Sequence, residues 1–374
     1  MPGRNRILVG VALSALALGL GFPAAAGELN PARTESWLLP DPDLHAVALR
    51  GQRAWAVGYW GTILRSTDGG QSWSYTESPT DAPLYDVSFA DDDHGWAVGA
   101  TGTLLRSTDG GQTWTPTSVT VTDPFDGSAR ELDATLFGVA AVSPREAWAV
   151  GDFGAVIHTV DGENWTAQVI TPEELADENI PDRIFNSVHF SDSERGWITG
   201  EFGTTLRTTD GGQTWIGERE ISGAIDDIYL FDIAPNGNGW TVAGGVGGVA
   251  IATSDAGTAW QAMDVPTTAG LFGAAVRGER GVLVGDRGVL LVSADAGASW
   301  RTPERPRSFA WLGGAVFGDN GLVLAVGEGG IILRSTDGGE TWQRAMGHEP
   351  PPAAAVSVPE PARSLSQRRE NAGE

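Results

Sequence analysis

Cysteine and lysine are both missing from the 374 residues. Without a thiol there is no disulfide, no thiolate metal site, no cysteine nucleophile and no lipid-modified N-terminal cysteine. Every basic residue is arginine, and 24 of them stand against 48 Asp and Glu, for a formal net charge of −24 and a pI near 4.4. Binding to nucleic acid or to an anionic membrane surface is not expected of such a surface. Histidine is scarce too. His45, His94, His158, His189 and His348 are scattered without metal-ligand spacing, and no serine-elbow motif lies near them. Phosphate-binding fingerprints fail because each Gly-rich run, "VAGGVGGVA" from Val242 included, sits between strands rather than before a helix. Neither a cofactor nor a metal is expected.

Long apolar runs are confined to the start, "MPGRNRILVGVALSALALGLGFPAAAGELN". Arg4 and Arg6 form a positive n-region, residues 7–22 an apolar core, and Ala24, Ala25 and Ala26 a cleavage site. Residues 1–26 are expected to be an export signal and the mature chain periplasmic, with an uncleaved signal held at the inner membrane as the alternative. The end, residues 346–374, is rich in Pro, Ala, Ser and charge and is expected to be a disordered tail.

Between the two lies a repeat. "WAVGATGTLLRSTDGGQTW" (96–114) returns as "WITGEFGTTLRTTDGGQTW" (197–215), and seven copies can be traced over 55–73, 96–114, 148–165, 197–215, 240–260, 281–300 and 322–342. Their closing Trp residues are 41, 51, 50, 45, 40 and 42 apart. Each unit holds four strands with hairpin turns at the Gly pairs and at the Asp-Gly step, as the 52 Gly also imply. A sheet of that size cannot bury both faces alone, so the copies must pack around an axis. The expectation is an all-β, seven-bladed β-propeller of four-stranded antiparallel blades over residues 27–345. Trp37 resembles an eighth closing Trp, so either it pairs with the last blade or the strand at Trp342 completes its own.

"STDGGQTW" (107–114) matches the Asp-box of bacterial neuraminidases, and its relatives end at Trp73, Trp165, Trp215, Trp260, Trp300 and Trp342. The carboxylate of such a turn accepts bonds from nearby backbone N–H groups, Gly allows positive φ, and the aromatic ring seals the turn. Asp68, Asp109, Asp161, Asp210, Asp255, Asp295 and Asp337 are therefore expected to be structural, not catalytic; the alternating ligands of a calcium loop are absent.

An export signal, seven Asp-box units and "WAVG-xx-GT" leading into "LRST" together make residues 37–345 resemble the Ycf48/Hcf136 family of photosystem II stability and assembly factors, which also has relatives in bacteria without a photosystem. The resemblance implies a non-enzymatic, monomeric propeller that holds a membrane-protein complex, or an intermediate in its assembly, partly through arginines. The matching arginines are Arg65, Arg106, Arg207 and Arg334; His158, Ala252 and Val292 replace them in the other repeats. The other reading of these arginines is stacking on a Trp and pairing with acids between blades.

One face of a propeller gathers the turns between second and third strands and the connections between blades. Its variable residues include Tyr59, Trp60, Phe153 and Phe202, and it receives two acidic insertions, from Thr115 and from Thr166. These four aromatics are the expected anchors for a partner. The alternatives are insertions that fold over them, an Asp-box glycosidase of sialidase type, or a glycan-binding propeller. A sialidase needs an Arg triad and an activated Tyr, and no neighbourhood of Tyr59, Tyr75, Tyr85 or Tyr229 picks these out.

A Lys-free acidic chain fits either a GC-rich genome or life in high salt. On the second reading, unfolding measured against added salt shows progressive stabilisation; a midpoint indifferent to salt dismisses it.

Overall fold

The computed structural model describes residues 41–122, 129–170, 183–217, 221–222, 228–236, 239–255 and 257–347. The expected signal, Trp37 and the tail from residue 348 lie outside them. Seven sheets stand in a ring, each with its first strand innermost: Leu44–Arg50, Leu84–Phe89, Leu136–Ala141, Phe185–Phe190, Leu230–Pro235, Leu271–Arg277 and Leu312–Phe317. Each inner strand lies beside the next, and the seventh lies beside the first. This is the expected seven-bladed propeller.

Two blades depart from the four-stranded pattern for visible reasons. In the fifth, Ile221–Ser222 adds a parallel strand outside Trp260–Ala262. In the sixth, the segment after Trp300 carries Pro303 and Pro306, which cannot donate to a ladder. Its pairing shrinks to one bridge between Val292 and Arg301, after which the Glu304 carbonyl turns to accept from Trp342 N–H of the seventh blade at 2.9 Å. The question of closure is settled by Gln343–Met346, which pairs with Ile332–Ser335 and completes the last blade from its own repeat. The chain enters and leaves the ring at one place. Asp43 accepts from Gly329 N–H at 2.8 Å, and Gly347 packs against Ile331.

Why the repeat carries two Trp residues becomes clear between blades. Trp55 of the first blade is buried with Trp114, which closes the second. Trp96 shares a core with Trp165, Trp148 with Trp215, Trp197 with Trp260, and Trp240 with Trp300. Gly281 and Leu322 replace the first Trp in the last two repeats, and there the rings of Trp342 and Trp73 pack beside Val282 and Leu324. Each of the seven apolar clusters thus spans two adjacent blades.

The aspartate turns pin the closing Trp in place. Asp68 accepts at one oxygen from Gln71 N–H and Ser72 N–H, both 3.0 Å, and from Ser66 Oγ at 2.8 Å. Its other oxygen accepts from Ser72 Oγ at 2.5 Å. The hydroxyl bond from Ser72 is the main reason that the Asp68 carboxyl is held down at about 2. Bonds from a neighbouring hydroxyl or amide hold Asp161, Asp210, Asp255 and Asp295 low in the same way. At Asp109 and Asp337 burial opposes the shift, and the hydrogen bonds outweigh it.

Folded carboxyls below their ordinary value of 3.8 give stability that is present above that pH and is lost as pH falls towards about 2. Acid titration should therefore unfold the protein between about pH 4 and pH 2. Asp68→Ala should cost about 1–2 kcal/mol and flatten that acid limb, because the freed N–H groups are half-exposed and water replaces the carboxylate. Trp148→Ala, which opens a cavity to two blades, should cost about 3–5 kcal/mol in a denaturant titration.

Candidate docking face and axial channel

The turns between second and third strands, at residues 59–61, 100–102, 152–154, 201–203, 246–248, 286–288 and 328–330, are seven tight hairpin turns of type I′: the last two residues of each have positive φ, and the next residue's N–H closes back on the first residue's carbonyl. In the first, Thr62 N–H donates to the Tyr59 carbonyl at 3.1 Å. The third residue is always Gly, and in the first turn a Cβ there would collide with the incoming Thr80 carbonyl. The middle residue also has positive φ but open space around it. Two repeats use Gly247 and Gly329, whereas Trp60 sits at φ 61°, Phe153 at 57° and Phe202 at 55°. A bulky residue in this left-handed region costs roughly 1–2 kcal/mol relative to its ordinary conformations. Burial does not repay that cost at Trp60, 67% exposed, or at Phe153, 75% exposed; Phe202, 40% exposed, is partly covered by Tyr229 and Arg183. Phe309, on the connection between the sixth and seventh blades, is 87% exposed.

Inside this rim the channel opens. The second residue of each inner strand forms its mouth: His45, Tyr85, Phe137, Asn186, Phe231, Phe272 and Gly313. His45 stacks on Tyr85 at 5.1 Å and meets Tyr59 edge-on at 4.6 Å between ring centres. Trp311 covers the place that Gly313 leaves and stacks on His45 at 5.8 Å. Tyr85 touches Phe137 at 5.4 Å, Phe231 meets Phe272 at 5.3 Å, and Phe202 reaches Tyr229 at 5.5 Å. The cavity within has a volume of about 460 Å³.

The third position is where adjacent inner strands approach most closely, each with a bulge. Gly138 and Gly273 fit because a Cβ there would stand 2.9 Å from the next strand's backbone. Asp86 and Asp232 fit because they bond to it. Asp86 accepts from Val87 N–H and from Val139 N–H of the next blade, both at 2.8 Å. Asp232 accepts from Ile233 N–H at 2.8 Å, Ser187 Oγ at 2.9 Å and, across the interface, Ala274 N–H at 2.9 Å. Enclosure by the channel wall pushes the Asp86 carboxyl up to about 7, with the Asp232 charge adding to it and the Val139 bond opposing. Asp232 is raised by the same enclosure.

The residues expected to bind a partner are not brought together. Tyr59, Trp60, Phe153 and Phe202 share the insertion face, with Tyr59 half-buried on His45. Arg65, Arg106, Arg207 and Arg334 lie at the opposite ends of the third strands, against the aspartate turn of the following blade. Arg65 Nε donates to the Gly110 carbonyl at 2.8 Å and Arg334 Nε to that of Gly69 at 2.7 Å. Arg106 lies over Trp96 at 5.9 Å and 3.8 Å from Glu163, and Arg207 packs on Gly257. His158, in the place of an arginine, stacks on Trp148 at 3.9 Å and faces Glu146. The first insertion returns as a hairpin of Thr120–Thr122 and Ala129–Glu131, with Val119 anchored in the core between the second and third blades. Much of the second lies outside the described residues.

Sequence reasoning missed the aromatic collar, the two channel carboxylates and Phe309. A signal for the collar was present: the inner strands begin LH, LY, LF, FN, LF, LF and LG, a buried apolar residue followed by the one that faces the axis.

The sequence profile of the photosynthesis system II assembly factor YCF48 family matches residues 72–175, 174–273 and 252–359. Among solved structures, "YCF48 bound to D1 peptide" aligns with a TM-score of 0.55 and 26% identity, covering 71% of this chain and 82% of that one. YCF48 from Cyanidioschyzon merolae aligns with a TM-score of 0.61 and 21% identity, over 79% and 96%. An ancestral GH74 enzyme has a TM-score of 0.61 at 15% identity, over 82% of this chain and 47% of its own; that likeness is one of fold, across about half the enzyme's length. A search of curated proteins finds no match. The profile runs from the first blade's edge through the last, and the chain belongs to the YCF48 family of photosynthesis system II assembly factors.

Proposed function

We propose that this protein is an exported, non-enzymatic and monomeric assembly factor that grips a segment of a membrane-protein client on its insertion face. The observation that carries the reading is the conformation of Trp60, Phe153 and Phe202. Each is an aromatic in a strained left-handed position where two sister turns use glycine, and Trp60 and Phe153 stand mostly in water. Strain retained without burial marks a residue whose use lies outside the folded chain. Family membership and the relative named as bound to a D1 peptide support a peptide segment of a membrane protein as the ligand. The arginines act in this reading as ties between blades.

A glycosidase of sialidase type requires a tyrosine made nucleophilic. Burial, followed by the neighbouring Tyr85 and Asp43, instead pushes the Tyr59 phenol up to about 12, and burial raises Tyr85 as well. Both stay neutral and poorly nucleophilic at physiological pH.

Trp60→Gly and Phe153→Gly should leave stability unchanged or raise it by up to about 1 kcal/mol each, since they relieve strain and lose little burial. A loss of more than about 1 kcal/mol would assign these rings to the fold. Affinity purification of the tagged chain from gently solubilised envelope should recover a membrane-protein client that the Trp60→Ala/Phe153→Ala double variant fails to hold. Undiminished capture by that variant removes the face from the proposal, and turnover of a fluorogenic sialoside with no client replaces the proposal altogether.

A further inference from the structure

We infer that the axial channel receives a basic side chain of the client, a guanidinium or alkylammonium group, from the segment that lies across the aromatic face. The inference rests on the docking reading above and adds the chemistry of what is recognised. The mouth offers π-faces and edges from His45, Tyr85, Phe137, Phe231, Phe272 and Trp311 around one axis. Rings so arranged attract a cation that has shed part of its water. Burial keeps the His45 imidazole below its ordinary range, so the collar carries no opposing charge at neutral pH.

Behind the collar stand the carboxylates of Asp86 and Asp232, each held by backbone N–H groups of two blades and unable to swing away. Enclosure raises both carboxyls, so a cation entering between them draws them into the ionised form, and their bonds to the wall then leave lone pairs over, since an ionised carboxylate accepts about four hydrogen bonds. Arg50 also lines the channel, but at the far end, where it donates to the Phe89 carbonyl at 3.0 Å. His189 projects into the cavity without a hydrogen-bond partner among the described residues, and enclosure holds it neutral with its pKa down at about 4. Around the rim, four of the seven turns begin with Asp152, Glu201, Asp286 or Glu328. No group of three His, Asp or Glu among the described residues is set to hold a metal ion. A volume of about 460 Å³ accommodates a guanidinium and its stem.

The test is calorimetric titration of the mature chain with acetyl-Leu-Arg-Leu-amide and with its citrulline counterpart, which keeps the shape and loses the charge. The arginine peptide should bind at least about tenfold tighter, and the preference should weaken with salt. Asp86→Asn/Asp232→Asn should erase it. Tyr85→Leu/Phe137→Leu, which leaves both carboxylates in place, should reduce it and guards against a misfolded first variant. Equal affinity for the two peptides, or a preference untouched by both variants, overturns the inference. Arginine amide alone should bind more weakly than the peptide; equal binding would make this a site for free small cations and overturn the assignment to a client. The Trp60→Ala/Phe153→Ala variant separates this inference from the docking reading: it should weaken both peptides alike and leave their ratio intact.

Discussion

The structure depends on a pairing of aromatic rings across blade boundaries. A Trp on the second strand of one repeat and the Trp that closes the next repeat are buried together, so no blade owns a complete core. Removing apolar rings of this size from water is the largest favourable contribution on offer to such short strands. It becomes available only when a neighbour is present. The repeat therefore has to close on itself, and the arginines and aspartate turns are fittings on that joint: Arg65 and Trp55 of one blade both donate to the Gly110 carbonyl of the next.

Because packing between blades holds the ring, the ends of the strands on the insertion face are released from structural duty. In five of the turns a neighbouring segment passes so close to the third residue, at Gly61, Gly102, Gly248, Gly288 and Gly330, that only Gly fits, whereas the middle residue meets open space at Gly247 and Gly329. That one position varies from Gly to Thr, Arg, Phe and Trp over the seven turns. The face thus carries five of the seven non-glycine residues at positive φ among the described residues, and the bulkiest of them.

Legibility in the sequence followed sequence distance. The period, the aspartate turn and the blade count could be read because each is written within one unit. The partner of Arg65 could not, since Gly110 lies 45 residues further on and is reached only across a blade boundary. Nor could the collar, which exists only once seven inner strands face one axis. Trp37, a closing Trp without the Asp-Gly turn before it, left the closure of the ring open in the sequence; the pairing of Gln343–Met346 within its own blade rests on hydrogen bonds that no motif encodes. The same limit applied to Asp86, a variable strand residue in the sequence and a brace between neighbouring strands in the fold.

Asp43 and Gly347 meet the same turn at the edge of the insertion face. Both ends of the ring thus open on the side of the aromatic rim and the channel mouth. A tag or cross-linker attached at Asp41 or Gly347 would therefore crowd the rim and the channel mouth and leave the aspartate turns clear.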